Sequence, residues 1–304
     1  RKFTKMKLSV CILLCAFFTF FVEANKVDPL KKIIKVSLAV SKAAYLPIPQ
    51  KRYLQHGAII ENPTTISPRR FLGVILLSPK YDFTQDRVAC CIKDWKAKQY
   101  QFKETEVFLF THAKQKLAVF GFRGTEALNL NDWKWNFNMV PTRMYIDKTV
   151  FVTHKGFRNR YLNIAPWFER EYMKIPQNYT IIITGHSLGG AEANIAAVFA
   201  AGKLKRRPDA VITYGSPLVG DESFKSYFDT VVGCDRTLRI VSKGDLFAHV
   251  PKVFGYTHTC PTLEVDGKTG LSFIRAHDLY IGYDRGLARL YNQNDIDFGC
   301  NKQL

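Results

Sequence analysis

Residues 180–204 carry the feature that most constrains how this chain folds. The mostly β-branched run TIIIT at 180–184 precedes Gly-His-Ser-Leu-Gly at 185–189, and an alanine-rich stretch follows to residue 204. The first run predicts a strand buried on both faces of a sheet, and the last predicts a helix. Because the chain must turn sharply between them, we expect the two glycines where a side chain would clash.

Alternating strands and helices are predicted around this unit, with a loop over 48–70 and no strong regular pattern over 125–150. Strands are predicted at 116–122, 180–184, 210–214 and 238–241, a hairpin arm at 98–111, and helices at 27–47, 156–174 and 188–204. Residues 71–77 are interpreted as a buried strand or a short core segment. This order favours an α/β fold, in which helices cover both faces of a mostly parallel sheet.

Ser187 occupies the centre of the Gly-x-Ser-x-Gly motif. A serine on a tight strand-to-helix turn holds its hydroxyl clear of the sheet edge, as a nucleophile requires. The following residue, Leu188, opens the predicted helix, and its N–H is expected to stabilise a developing oxyanion. A serine also needs a base and an orienting carboxylate.

Four segments together resemble the class 3 (fungal-type) lipase family. They are TGHSLGGA at 184–191, FRGT at 122–125, YGSPLVGD at 214–221, and Gly244-Asp245 followed by Pro251. The resemblance covers roughly residues 100–285 and implies an α/β-hydrolase fold that cleaves carboxylic esters without a metal or other cofactor.

Asp245 is predicted to be the catalytic acid, because in α/β-hydrolases the acid follows a strand and lies between the serine and the histidine in the chain. The rival Asp221 lies just past a turn. The rival Asp235 precedes its strand and would therefore lie at the wrong end of the sheet.

His277 is predicted to be the base. Its segment, AHDLYIG at 276–282, resembles the histidine loop of the family. By the same resemblance His258 is the weaker candidate, and His249 and His154 are interpreted as structural. His186, beside the serine, is interpreted as a packing and hydrogen-bonding residue.

The family resemblance also implies a second oxyanion donor, Thr125, and a lid after it. Leu130, Trp133 and Phe137 have the spacing of one helix face within ALNLNDWKWNFNMV at 127–140. A lid of this kind would cover the serine in water and open at a lipid surface. The alternative is a surface loop with its aromatic residues packed inward.

The first residues predict export. Residues 1–5 precede the first methionine, and 6–24 have the basic start, apolar centre and small residues of a signal peptide, which leaves 25–304 as a single domain. The apolar run is too short for a spanning helix. Without residues 1–24 the net charge falls from +18 to +15. This charge is interpreted either as attraction to an anionic membrane surface or as a solvated basic surface without a partner. No nucleic-acid motif accompanies that charge, and no obligate protein partner is evident.

The cysteines outside the predicted signal peptide fit an oxidising compartment and match no zinc spacing. They are Cys90, Cys91, Cys234, Cys260 and Cys300. Their pairing stays open, with a preference for Cys234 with Cys260 and for Cys300 with Cys90 or Cys91. Asn178 begins an Asn-Tyr-Thr acceptor site for glycosylation.

The sequence therefore predicts a secreted lipase that hydrolyses acylglycerol esters at a lipid–water interface. A phospholipase A1 or another carboxylesterase would use the same residues, because the fold and the triad do not determine the acyl pocket. A catalytically inactive lipid-binding protein is the alternative of another class.

Overall fold

Eight strands form one sheet in the computed structural model, which describes residues 29–45, 58–60, 96–124, 140–252 and 254–292. The strands are β1 Ala58–Ile60, β2 Lys96–Phe102, β3 Thr105–His112, β4 Leu117–Phe122, β7 Thr180–His186, β8 Ala210–Tyr214, β9 Thr237–Ser242 and β10 Thr262–Val265. They lie side by side in chain order, with β4 directly next to β7. Strands β1 to β4 pair antiparallel, and β4, β7, β8, β9 and β10 pair parallel.

The helices divide between the two faces of this sheet. They are α1 Pro29–Ala43, α2 Lys155–Lys174, α3 Leu188–Gly202, α4 Glu222–Val231, α5 Phe273–His277 and α6 Arg285–Leu290, with a 3₁₀ turn Phe247–His249 and a π-helix Leu279–Asp284. Helices α2 and α3 pack on one face, and α1 packs on the other.

Burial on both faces of β7 explains why its sequence is a continuous apolar run. Ile181 and Ile183 are buried in the core layer beneath α2 and α3. Ile182 is buried in the opposite layer, together with the apolar face of α1. Both faces of the strand are thus covered, as expected for a central parallel strand, and the predicted α/β architecture is confirmed.

The prediction for 125–150 was incomplete. A separate antiparallel hairpin, β5 Pro141–Ile146 and β6 Thr149–His154, occupies its second half and extends beyond it. The inward residues Met144 and Ile146 alternate with exposed Arg143 and Tyr145, and Asp147 adopts a positive φ of 52° at the turn. Alternation of buried and exposed residues is typical of a strand, but here it extends over the β5 arm of the hairpin alone.

Smaller differences concern the edge of the sheet and the first helix. The three residues of β1 lie within the segment predicted to be a loop. Helix α1 ends at Ala43, before the predicted end at residue 47, and the predicted start at residue 27 lies outside the described residues. The predicted strand or core segment at 71–77 and the predicted signal peptide lie outside the described residues. Within the described ranges, no helix combines the length and apolar character needed to cross a bilayer.

Candidate active site

Ser187 lies at the junction between β7 and α3, where the backbone has a positive φ of 57°. This left-handed conformation is uncommon for a side-chain-bearing residue and is typical of strained functional turns. A Cβ on Gly185 would collide with the Gly189 carbonyl, and a Cβ on Gly189 would collide with the backbone of Phe122. Both glycines of the motif are therefore required for the close approach of α3 to the sheet.

A continuous chain of hydrogen bonds links Ser187, His277 and Asp245. The Ser187 Oγ lies 2.7 Å from His277 Nε2, and His277 Nδ1 lies 2.8 Å from Asp245 Oδ2. All three residues are buried, and they come from the ends of three separate segments of the chain. With Asp245 ionised, Nδ1–H donates to the carboxylate and Nε2 accepts the serine proton.

The Asp245 carboxylate is stabilised in its charged form. Its Oδ1 accepts hydrogen bonds from the Phe247 N–H at 2.9 Å and the Ala248 N–H at 3.3 Å. Burial opposes ionisation, but His277 and the hydrogen bonds from His277 and Tyr283 outweigh it, so the pKa of Asp245 is below its ordinary value. The acid therefore remains ionised near neutral pH.

Of the two predicted oxyanion donors, Leu188 lies within the described residues and Thr125 lies outside them. Leu188 is the first residue of α3 and is fully buried beside the serine. The first N–H groups of a helix have no partner within the helix, which suits an anion. Thr125 and the lid residues Leu130, Trp133 and Phe137 lie outside the described residues. Gly124, directly before Thr125, approaches the serine so closely that an added Cβ would lie 3.2 Å from Ser187 Cβ.

His186 forms a hydrogen bond with the backbone of His277. Its Nε2 lies 2.7 Å from the His277 carbonyl oxygen, so Nε2–H donates, and its Nδ1 lies 2.9 Å from the Tyr45 hydroxyl. Burial, followed by the proximity of His277, lowers the pKa of His186 to about 3. His186 is thus a neutral residue that holds the backbone of His277.

Asp221 and Asp235, the alternative candidates for the catalytic acid, have partners outside the hydrogen-bond chain of Ser187. Asp221 caps α4 through the N–H groups of Ser223 and Phe224, and Asp235 forms an ion pair with Arg207 at 2.5 Å.

Two of the remaining histidines also bond to backbone atoms. His258 Nε2 lies 2.8 Å from the Ala248 carbonyl oxygen. His154 caps α2 by accepting from the Gly156 and Phe157 N–H groups. Both histidines therefore bond to backbone atoms outside the Ser187–His277–Asp245 chain.

Three residues of the site were not predicted from the sequence. Tyr283 donates a hydrogen bond to Asp245 Oδ2. Tyr45 reaches the site from the N-terminal segment. Gly215, with a φ of 58°, lies against the triad, because an added Cβ would lie 2.8 Å from Asp245 Oδ2 and 3.1 Å from His277 Cε1. The Tyr-Gly-Ser-Pro motif at 214–217 gave a hint of Gly215, but the other two contacts depend on the tertiary fold.

Cys234 and Cys260 form a disulfide, which is the pairing preferred from the sequence. The other three cysteines lie outside the described residues. Among the described residues, the one cluster with potential metal ligands consists of these two sulfurs and Asp229. Because both sulfurs are bonded to each other, this cluster offers a metal a single carboxylate.

The sheet has a parallel half flanked by helices, a serine on the strained turn after β7, and a histidine and an aspartate that continue its hydrogen-bond chain. This arrangement defines the α/β-hydrolase fold. The structure of Rhizomucor miehei triacylglyceride lipase is similar, with a TM-score of 0.57 at 20% identity over 80% of this chain and 82% of that one. The predicted fold class is thus confirmed.

The sequence comparison is more specific. Residues 119–255 match the family described as Lipase (class 3), the same family that the sequence motifs resemble. A secreted mono- and diacylglycerol lipase of Fusarium solani is 29% identical over 164 residues, 53% of this chain and 47% of that protein. A phospholipase A1-II 1 of Oryza sativa is 38% identical over 89 residues, 29% of this chain and 22% of that protein. The matches thus span less than half the length of either relative.

Proposed function

We propose that this protein is a serine carboxylic ester hydrolase, a lipase that cleaves acylglycerols. The observation that carries the proposal is the buried chain from Ser187 through His277 to Asp245. The match of residues 119–255 to the class 3 lipase family supports it.

The proposed reaction proceeds through an acyl-enzyme. Ser187 Oγ attacks the ester carbonyl carbon while His277 Nε2 takes its proton, and Asp245 stabilises the imidazolium. The N–H of Leu188 and Thr125 stabilise the oxyanion. His277 then gives the proton to the leaving alcohol as the carbon–oxygen bond breaks. A water molecule attacks the acyl-enzyme by the same steps and releases the acid and Ser187.

The substrate class is proposed from the relatives and from the predicted lid. The Fusarium solani relative is named as a lipase of mono- and diacylglycerols. A lid over 127–140 would make hydrolysis depend on a lipid–water interface. We therefore expect higher activity on emulsified than on monomeric acylglycerols.

The proposal is tested by replacing the hydroxyl alone. Ser187→Ala is expected to lower kcat on a soluble short-chain ester by about 10⁴-fold or more, as for other triads. Ser216→Ala is the matched control, since Ser216 is also buried and bonds to Asn194 instead of the triad. Equal activity of the Ser187→Ala and Ser216→Ala proteins would exclude the proposed nucleophile.

A phospholipase A1 is the second candidate. The match to the rice phospholipase and the net charge of +18 favour it, because cations attract anionic headgroups. Release of labelled acyl chains from triacylglycerol and from phospholipid vesicles of equal interfacial area separates the two functions. Activity limited to water-soluble esters would indicate a small-ester esterase. Lipid binding without hydrolysis would indicate the inactive lipid-binding class.

We propose secretion as the destination, on the basis of the predicted signal peptide 6–24 and the disulfide. Asn178 is exposed in the turn before β7, where a glycan would be accepted. Expression of the full chain in a secreting cell is expected to yield a processed extracellular protein. If glycosidase treatment lowers the mass of the secreted protein but not that of Asn178→Gln, Asn178 carries the glycan. Retention of the unprocessed chain in the cytosol would contradict export.

A further inference from the structure

The Asp245 carboxylate has a hydrogen-bond partner that the triad itself does not supply. Its Oδ2, the atom that accepts from His277 Nδ1, also accepts from the Tyr283 hydroxyl. Its Oδ1 is held separately by two backbone N–H groups, those of Phe247 and Ala248. Tyr283 therefore fixes the rotation of the carboxylate on the side that faces the base.

Tyr283 and His277 belong to one short stretch of the chain. Helix α5 ends at His277, and the π-helix Leu279–Asp284 begins directly after Asp278. The Asp278 side chain caps this turn by accepting from the Tyr280 N–H at 2.9 Å and the Ile281 N–H at 2.8 Å. A displacement of this turn would move the base and the Tyr283 hydroxyl together.

A buried ion pair anchors the end of that turn. Lys42 Nζ, on α1, lies 2.5 Å from Asp284 Oδ2, and the two side chains are 0% and 2% exposed. The ammonium also lies 4.8 Å from the centroid of the Tyr280 ring. Burying a charged pair contributes little net stability compared with apolar residues, but it fixes a geometry that would be costly to break.

We propose that Tyr283 is a positioning residue for the catalytic acid, and that the buried Lys42–Asp284 pair holds Tyr283 in place. Lys42 of helix α1 thereby acts on the position of the triad, although α1 contributes no reacting group. This inference rests on the proposed esterase function. It assigns to Tyr283 and Lys42 an effect on kcat rather than on substrate affinity.

The direction of a pH effect follows from the charge. A hydroxyl donor withdraws negative charge from the Asp245 carboxylate, so its removal strengthens the attraction between Asp245 and a protonated His277. Among the described residues, other titratable or charged groups near this pocket are His186, whose ring centroid lies 4.6 Å from that of His277, Arg239, and the Asp278 and Asp284 carboxylates of the turn itself. None of these groups changes in Tyr283→Phe or Tyr214→Phe.

The test compares Tyr283→Phe with Tyr214→Phe. Tyr214 is the matched control, because it is equally buried and its ring lies 6.0 Å from that of Tyr283, yet its hydroxyl bonds to Ser37 and to the Ile34 carbonyl. On a soluble ester, Tyr283→Phe is expected to lower kcat about tenfold with KM unchanged, well short of the loss expected for removing the carboxylate. The acid limb of the pH–rate profile moves to higher pH in Tyr283→Phe alone.

Variants of the Lys42–Asp284 ion pair provide an independent test. Lys42→Met is expected to lower kcat by about as much as Tyr283→Phe at a temperature where circular dichroism shows the variant folded. The double variant Lys42→Met/Asp284→Asn removes the uncompensated carboxylate and is expected to recover part of that loss. Combining Lys42→Met with Tyr283→Phe adds little, because both act on the same contact.

The outcomes separate this inference from the function on which it depends. If Ser187→Ala abolishes hydrolysis while Tyr283→Phe and Tyr214→Phe have the same kcat and the same acid limb, the positioning role is wrong and the esterase proposal stands. If Ser187→Ala retains activity, the esterase mechanism itself is wrong. A fall in kcat with a displaced acid limb, confined to Tyr283→Phe, supports the inference.

Discussion

Replacing Gly215 with alanine tests the geometry of the triad without removing any of its groups. The added Cβ would lie 2.5 Å from the Tyr283 hydroxyl, 2.8 Å from Asp245 Oδ2 and 3.1 Å from His277 Cε1. To reach an ordinary contact near 3.4 Å, the two oxygens must each move by about 0.6 to 0.9 Å. A misplacement of about 1 Å at a reacting group costs about 100-fold in rate. We therefore expect kcat/KM to fall by about that factor.

Gly270→Ala is the matched control. Gly270 also has a positive φ, of 65°, but an added Cβ there meets nothing within 4 Å. Both variants carry the cost of a left-handed alanine, about 1–2 kcal/mol, and Gly215→Ala adds an overpacking cost of about 1–3 kcal/mol. Activity is therefore compared under conditions where urea unfolding shows both variants to be folded. Initial rates on a soluble chromogenic ester measure the difference in activity. Gly215→Ala activity within about twofold of Gly270→Ala would refute the tight packing of Gly215 against the triad.

Three further predictions concern stability, each measured as the unfolding free energy in urea. Burial lowers the pKa of His154 to about 4, so the unfolded chain binds its proton first and stability declines as pH falls below about 6.5. His154→Asn, which keeps a capping acceptor, should lessen that decline by up to about 1.4 kcal/mol per pH unit, and an unchanged decline would contradict the assignment. Reducing the Cys234–Cys260 bridge, which closes 26 residues, should cost about 2–4 kcal/mol. Arg160→Met leaves the Glu192 carboxylate buried without its ion-pair partner and should cost about 3–5 kcal/mol, whereas adding Glu192→Leu should restore most of that loss.

Local sequence patterns predicted the centre of the fold and two residues of the hydrogen-bonded chain, Ser187 and Asp245. The β7 strand, the turn at Ser187 and helix α3 are adjacent in sequence, so their composition alone carried the prediction. Asp245 followed from its place after a strand. His277 was separated from His258 only by the family resemblance, because nothing in its own spacing distinguishes a base from a structural histidine.

The contacts that support the triad could not be predicted in this way. Tyr283 and Asp245 are 38 residues apart, and Lys42 and Asp284 are 242 residues apart. Such pairs depend on how α1 and the π-helix pack on the sheet, and no local periodicity encodes that. Helix α1 was predicted, but the prediction did not identify Lys42 as a buried residue.

Covalent labelling with an active-site-directed phosphonate tests the central claim most directly. The reagent forms a stable bond to a serine oxygen that is activated by a neighbouring base, and mass spectrometry of the digested protein locates the adduct. We predict one adduct per chain on the peptide that contains Ser187, with labelling abolished in His277→Ala. An adduct on a different serine, or labelling of Ser187 that is as fast in His277→Ala as in the unaltered protein, would contradict the arrangement proposed for this site.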